Sequence, residues 1–213
     1  MNTVTEIALE RSQHGVFTRP EVNCWVGGSS ARQHSLLKRA LAAGEVLRIR
    51  RGLYCLANRF LSSKPNPFVL AQRIYGPSYV SLESALSYHG WIPEATFAIT
   101  STSFSRSREF DTPLGSFSFA RVPQKILFIG VTRIETGERG NGFFLASPAK
   151  ALADYVYVHR CDWNSTRPLL ESLRVDEESL AALNQESLGN LASNYTSKRV
   201  KRFLEGLCKE LGQ

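Results

Sequence analysis

The hydrophobic pattern of this chain changes period once within a short stretch, between Ser29 and Leu56. Leu37, Ala40, Leu41 and Gly44 fall at i, i+3, i+4 and i+7 and make one apolar stripe. Ser29 or Ser30 offers an N-cap, and Gly44 stands where a left-handed residue ends a helix. The spacing predicts a helix from about Ser30 to Ala43. With Leu37 at the centre of the buried face, Arg32, Ser35 and Arg39 turn outward, Ala31 and Lys38 flank them, and His34 falls on the packed side. From Val46 on the period is that of strands. Val46, Leu47, Ile49 and Leu53-Tyr54-Cys55 are strand formers, broken by Arg51-Gly52 with glycine where a hairpin turn needs positive φ. Arg48 and Arg50 alternate with Leu47 and Ile49 and are expected to face away from the core.

Upstream, Val4, Ile7 and Ala8 predict a short helix over Thr3–Arg11, stopped by Gly15, and Val16-Phe17 is extended. Thr18-Arg19-Pro20-Glu21 has the form of a capping box, with Val22 and Trp25 turned inward and Gly27-Gly28 as the turn that follows. Helix, short strand, helix, turn, helix and hairpin is the order of a winged helix-turn-helix. The proline-containing polar stretch from Asn58 to Pro67 then reads as a linker. It divides the chain into a DNA-binding domain, residues 1–58, and a larger domain, residues 67–213.

The second part opens with a helix from Phe68 to Tyr75, an extended Tyr79-Val80, and a helix capped by Ser81 and closed by His89-Gly90. Residues 96 to 144 look mostly β. Phe97-Ala98-Ile99, Phe117-Ser118-Phe119 and Ile126-Leu127-Phe128-Ile129 stand out as strands, with turns at Gly115, Gly130 and Gly137, Gly140 or Gly142. Ser147-Pro148 starts a strong helix through His159, and the rest reads as helical. The expected class is α+β: an N-terminal winged helix-turn-helix, then a larger mixed α/β domain that ends in helices.

Charge sharpens this picture. The chain carries +7 overall, with a pI near 9.4. Residues 1–58 hold eight Lys/Arg (11, 19, 32, 38, 39, 48, 50, 51) against four Glu (6, 10, 21, 45), and no acid follows Glu45 until Glu83. The excess is densest in the winged-helix segment and points to a polyanion there. The residues expected to face DNA are Ser30, Ala31, Arg32, Gln33, Ser35, Lys38 and Arg39 on the helix, and Arg48, Arg50 and Arg51 on the wing. No apolar run is long enough to span a bilayer and no signal-peptide core is present, so a cytoplasmic location is expected. The cysteines at 24, 55, 161 and 208 form no Cys-x-x-Cys pair and read as reduced thiols.

Catalytic and metal motifs are thin. Ser147-Pro-Ala-Lys150 has the Ser-x-x-Lys spacing of a nucleophile motif, but capping explains Ser147 and Pro148, and the partner motifs are missing. His159-Arg-Cys161-Asp162 lacks a second cluster at zinc spacing. No P-loop or glycine-rich cofactor turn occurs. The expectation is no catalytic residue, no metal and no cofactor.

Three blocks resemble the AbiEi antitoxin family, the regulator half of bacterial type IV toxin–antitoxin systems linked to abortive infection and phage defence. They are Leu37, Gly44, Leu47, Arg48 and Arg51-Gly52-Leu53-Tyr54; Tyr79-Val80-Ser81-Leu82-Glu83-Ser84-Ala85-Leu86 with His89-Gly90; and Ala146-Ser147-Pro148-Ala149-Lys150-Ala151-Leu152-Ala153-Asp154. The resemblance implies a winged helix that binds inverted repeats of double-stranded DNA in its own promoter and represses the operon. It also implies a second domain that opposes a cognate nucleotidyltransferase-like toxin. Two other readings fit the residues: a winged-helix regulator whose C-terminal domain senses a ligand, and a DNA-targeted enzyme.

Overall fold

The computed structural model describes residues 1–12, 14–94, 96–137 and 141–212. Its contacts divide into two units, Met1–Ile74 with Phe110–Gly115, and Tyr75–Glu109 with Ser116–Gln213. The turn expected at Gly140 lies outside the described residues.

The first unit begins with α1 (Thr3–Arg11), β1 (Val16–Thr18), α2 (Arg19–Val26), α3 (Ser30–Ala42), β2 (Val46–Arg50) and β3 (Leu53–Leu56). Each boundary has a chemical cause. Thr18 accepts the Glu21 N–H while the Glu21 carboxylate accepts the Thr18 N–H at 2.6 Å, which completes the capping box with Pro20 in the first turn. Ser29 caps α3 by accepting the Arg32 N–H, and Gly44 follows its end at φ +62°. β1, β3 and β2 form one antiparallel sheet in that order, with Val16 opposite Cys55 and Val46 opposite Leu56. Val4, Ala8, Phe17, Val22, Leu36, Leu37, Ala40, Val46, Tyr54 and Leu56 pack as its core. At about 1.5–3 kcal/mol for each large side chain, this burial outweighs the weak intrinsic preference of such short elements.

α4 (Pro67–Ile74) belongs to this unit rather than to the second. Leu70, Ala71 and Ile74 are buried. The Arg73 guanidinium donates to the Val16 carbonyl at 3.0 Å and lies 3.7 Å from Glu21. The polar stretch expected to be an interdomain linker lies within the first unit: Asn58–Phe60 is a short 3-10 helix, Phe60 and Leu61 pack against the core, and the division falls after α4.

Glu45, just past α3, holds the start of the chain. Its carboxylate accepts the Thr5 hydroxyl at 2.6 Å and the Asn2 N–H at 2.8 Å, and these bonds hold it below the usual carboxylate range. A depressed folded-state value means the contribution is present above the unfolded carboxylate range and is lost as pH falls through the folded value. Replacing Glu45 with Gln is therefore expected to flatten the acid limb of the stability curve. Urea midpoints measured from neutral pH downward would show it, and parallel curves for the two proteins would refute it.

The chain continues with β4 (Ser78–Val80), α5 (Leu82–Tyr88), β5 (Ala98–Ser103), β6 (Arg108–Thr112), β7 (Gly115–Arg121), β8 (Val131–Glu135), β9 (Gly142–Ala146) and α6 (Pro148–Val158), all in the second unit except residues 110–112 of β6 and Gly115 of β7. It closes with α7 (Arg167–Glu171), α8 (Glu177–Ala181), α9 (Gln185–Asn194) and α10 (Lys198–Leu211). The strands make a mixed sheet in the order β6-β7-β5-β4-β9-β8. Pairs β4/β9 and β5/β7 are parallel, whereas β4/β5 and β8/β9 are antiparallel. α6 packs against α5, β9, α9 and α10, so seven of its residues are buried. That accounts for its near-continuous apolar sequence.

Residues 126 to 129, expected to be a strand, form a turn in which Ile126 and Phe128 are exposed and Leu127 is buried. Asn194 takes the place of a neighbouring strand. Its side chain accepts the Ile126 N–H at 2.8 Å and donates to the Ile126 carbonyl at 2.9 Å. With the backbone of Ile126 satisfied in this way and the next residues in a turn, the run joins no ladder.

Candidate nucleic-acid interface

α3 and the β2–β3 hairpin carry the residues the sequence singles out. Ser30, Ala31, Arg32, Ser35, Lys38 and Arg39 on α3, and Arg48, Arg50 and Arg51 on the hairpin, are all exposed. Gln33 is the exception. It is buried, and its side-chain amide donates to the carbonyls of Asn23, Gly27 and Gly28 at 3.2–3.4 Å. Gln33 therefore fastens α3 to the turn after α2 and is withdrawn from the expected interface.

The buried face of α3 is Gln33, Leu36, Leu37 and Ala40. Its centre lies roughly 50° away from the one expected with Leu37 in the middle. The shift carries His34, expected to be packed, out to the surface. It leaves Ala31, Ser35, Lys38 and Ala42 outermost, with Arg32 and Arg39 on one flank and His34 and Leu41 on the other. Three small residues among the four outermost allow close approach of the helix to a groove. On its flank, Arg32 reaches back over the turn, where a Cβ on Gly28 would lie 3.3 Å from its side chain.

Between α3 and the wing lies a cleft of about 530 Å³, lined by Arg19, His34, Lys38, Arg48, Arg51 and Tyr54 among others. The turn at Arg51-Gly52 has Gly52 at φ +82°, and the Gly52 carbonyl accepts the Arg19 N–H at 2.9 Å, which ties the wing to the start of α2. The wing arginines do not behave as a uniform row. Arg48 pairs with Tyr54 and Arg50 with Leu53, so Ile49 is an extra residue in a bulge. A bulge breaks the alternation of faces. Arg48 then lines the cleft, while Arg50 donates to the carbonyls of Arg51 and Arg73. Arg19, His34 and Tyr54 were missed as lining residues because only the tertiary path of the wing brings them together.

Among the described residues, no carboxylate pairs with Arg32, Lys38, Arg39, Arg48 or Arg51. Cations left unpaired over one connected surface sum to a positive field that attracts a polyanion.

The sequence blocks from the second part converge elsewhere, on a buried polar network. Asp154 accepts the hydroxyls of Tyr195 (2.6 Å), Ser81 (2.7 Å), Tyr79 (2.8 Å) and Thr102 (3.2 Å). Lys150 lies 3.6 Å from Asp154 and donates to the Tyr195 hydroxyl at 2.8 Å and to the Gln124 amide oxygen. Lys150 and Asp154 are both fully buried. Burial lowers the Lys150 pKa against the pull of Asp154, and burial beside the same carboxylate raises Tyr79 and Tyr195 well above the usual tyrosine value. Ser81 stands at the N-cap of α5 but gives its hydroxyl to Asp154, so it does not cap that helix as expected. Ser147 does cap α6, with Pro148 at its first position, and Lys150 faces the network, not Ser147.

His89, His159 and Asp162 have protein partners. His89 ends α5 with Nε2 2.8 Å from the Ala146 carbonyl, His159 pairs with Glu83, and Asp162 pairs with Arg202. Among the described residues, no group of three or more His, Cys, Asp or Glu could hold a metal, and no helix is long and apolar enough to cross a membrane. Cys55 is buried, and burial pushes its thiol up to about 11.

The order α1, β1, α2, α3, β2, β3, with a cationic helix beside a cationic hairpin, places the first unit among winged helix-turn-helix folds. Residues 5–57 match the family described as transcriptional regulator, AbiEi antitoxin, and take in the first of the three sequence blocks; the blocks at Tyr79 and Ala146 lie outside the matched residues. The match runs from α1 through β3 and ends within the first unit. It is to a family of regulators and antitoxins, not of enzymes. No curated protein matches the chain.

Proposed function

We propose that this chain is the antitoxin and autorepressor of a type IV toxin–antitoxin pair, acting in the cytoplasm. α3 enters the major groove of double-stranded DNA, with Ala31, Ser35 and Lys38 nearest the bases, and the wing lies along phosphates through Arg48 and Arg51. Ser30, Arg32 and Arg39 extend the contact along the helix, and Arg50 adds charge at its edge. The larger unit opposes the activity of a nucleotidyltransferase-like toxin. The observation that carries this reading is the unpaired cationic surface of α3 and the wing, inside the segment matched by a regulator family.

One winged helix reads only a few base pairs, too few to single out one site in a genome. Two copies on inverted repeats supply the rest, so footprinting the protein's own promoter is expected to show two protected half-sites. If about four cations per copy neutralise phosphates, log K falls with log salt with a slope near −4 per copy. A single unrepeated footprint, or a flat salt response, would refute the proposal for DNA. Colony survival during co-expression with the neighbouring toxin gene tests the antitoxin half.

A further inference from the structure

The second unit holds a cationic cleft that the winged helix does not explain. It has a volume of about 270 Å³ and is lined by Ser107, Arg121, Tyr157, Arg160 and Arg199, with Ala120 and Val158 as apolar wall. The residues come from four places in the chain. Ser107 precedes β6, Arg121 ends β7, Tyr157 and Arg160 stand at the close of α6 and just beyond it, and Arg199 lies in the first turn of α10. Only the folded unit brings the three arginines to one concavity.

No carboxylate lines the cleft, and none pairs with these arginines among the described residues. Asp162, close to Arg160 in sequence, is taken by Arg202. Three arginines lining one small space carry like charges that repel one another, and an anion among them offsets that repulsion. The Ser107 hydroxyl oxygen accepts the Arg121 N–H at 2.9 Å, which leaves its proton free to donate. α10 adds a positive helix end, since Ser197 at its N-cap makes no side-chain cap.

We infer that this cleft binds the polyphosphate chain of a nucleoside di- or triphosphate. Guanidinium groups match phosphate oxygens in bidentate pairs. Three of them at one concavity suit several charges close together at the end of a small ligand. Backbone phosphates of a nucleic acid are instead strung out along a surface. The apolar wall and the Tyr157 ring give the remainder of a nucleotide a face to lie on.

Isothermal titration of the full-length protein with pyrophosphate, ATP and GTP tests this. Pyrophosphate is expected to bind saturably and to compete with the nucleotides. Tighter binding of ATP or GTP than of pyrophosphate identifies a nucleotide as the ligand, and equal binding limits the recognised part to the phosphates. The double variant Arg160→Ala/Arg199→Ala is expected to weaken binding by at least about tenfold. Both side chains are at least partly exposed, so circular dichroism should show the variant folded. Arg160→Lys, which keeps charge without the fork, is expected to fall between. Absence of saturable binding, or unchanged affinity in the double variant, overturns the inference. So does a double variant that loses only promoter DNA affinity, because the cleft would then be a backbone contact.

Discussion

Replacing Arg48 and Arg51 together with alanine is expected to abolish promoter repression and leave protection from the toxin intact. Both side chains line the cleft beside α3, both are exposed, and neither pairs with a carboxylate among the described residues. Loss of two phosphate contacts per copy should make the salt slope shallower by about 2 per copy. At roughly tenfold in affinity for each contact, one copy loses about a hundredfold, and two copies on a repeat lose nearly the square of that. The loss should be alike for all sequences, because phosphate contacts carry no base information. Arg50→Ala serves as the internal comparison. Its side chain lies outside the cleft and is held by the carbonyls of Arg51 and Arg73, so its effect should be smaller. Fluorescence anisotropy across salt concentrations, beside a promoter reporter and colony survival under toxin induction, measures all three. A double variant that binds like the parent would remove the wing from the interface. One that loses repression and protection together would show that antitoxicity runs through DNA binding.

The first unit was legible in the sequence because its signals are local. A capping box at Thr18, an N-cap at Ser29 and a glycine at 52 each act within a few residues, and the structure has all three. Errors arose where a side chain has a distant partner. Gln33 reads as an exposed polar helix residue until Asn23, Gly27 and Gly28 are seen to accept its amide. His34 moved outward because Leu36 and Gln33, not Leu41 and Gly44, complete the buried stripe. Arg48 and Arg50 looked equivalent until the bulge at Ile49 separated them. In the second unit the apolar run at 126–129 reads as a strand for the same reason: Asn194 supplies the backbone partners of Ile126 from far along the chain. The blocks at Tyr79 and Lys150 could be quoted from sequence but not explained. Their common purpose is visible only when β4 and α6 bring Tyr79, Ser81, Lys150 and Asp154 together.

That network sets the largest stability effect expected in the chain. Asp154→Ala should destabilise the second unit by roughly 3–5 kcal/mol, the usual cost of leaving one half of a buried ion pair behind. Four hydrogen bonds are lost with it, since Tyr79, Ser81, Tyr195 and Thr102 each give a hydroxyl proton to that carboxylate at 2.6–3.2 Å. The two ends of the pair are not equivalent. Lys150→Met fills much of the space of the lysine and leaves Asp154 with four hydroxyl donors, so it should cost less, about 1–3 kcal/mol. In the double variant Asp154→Ala/Lys150→Met no buried charge is left, and part of the loss should return. Urea denaturation of the three variants measures the order directly. If Asp154→Ala unfolds at the parent's midpoint, the network does not hold the unit together. If Asp154→Asn keeps the midpoint yet no longer protects cells from the toxin, the carboxylate serves antitoxicity itself, and the network is a functional centre enclosed in the fold. Equal losses in stability and protection across the series would make it a support, and would place the antitoxic surface on the outside of the unit that it holds in shape.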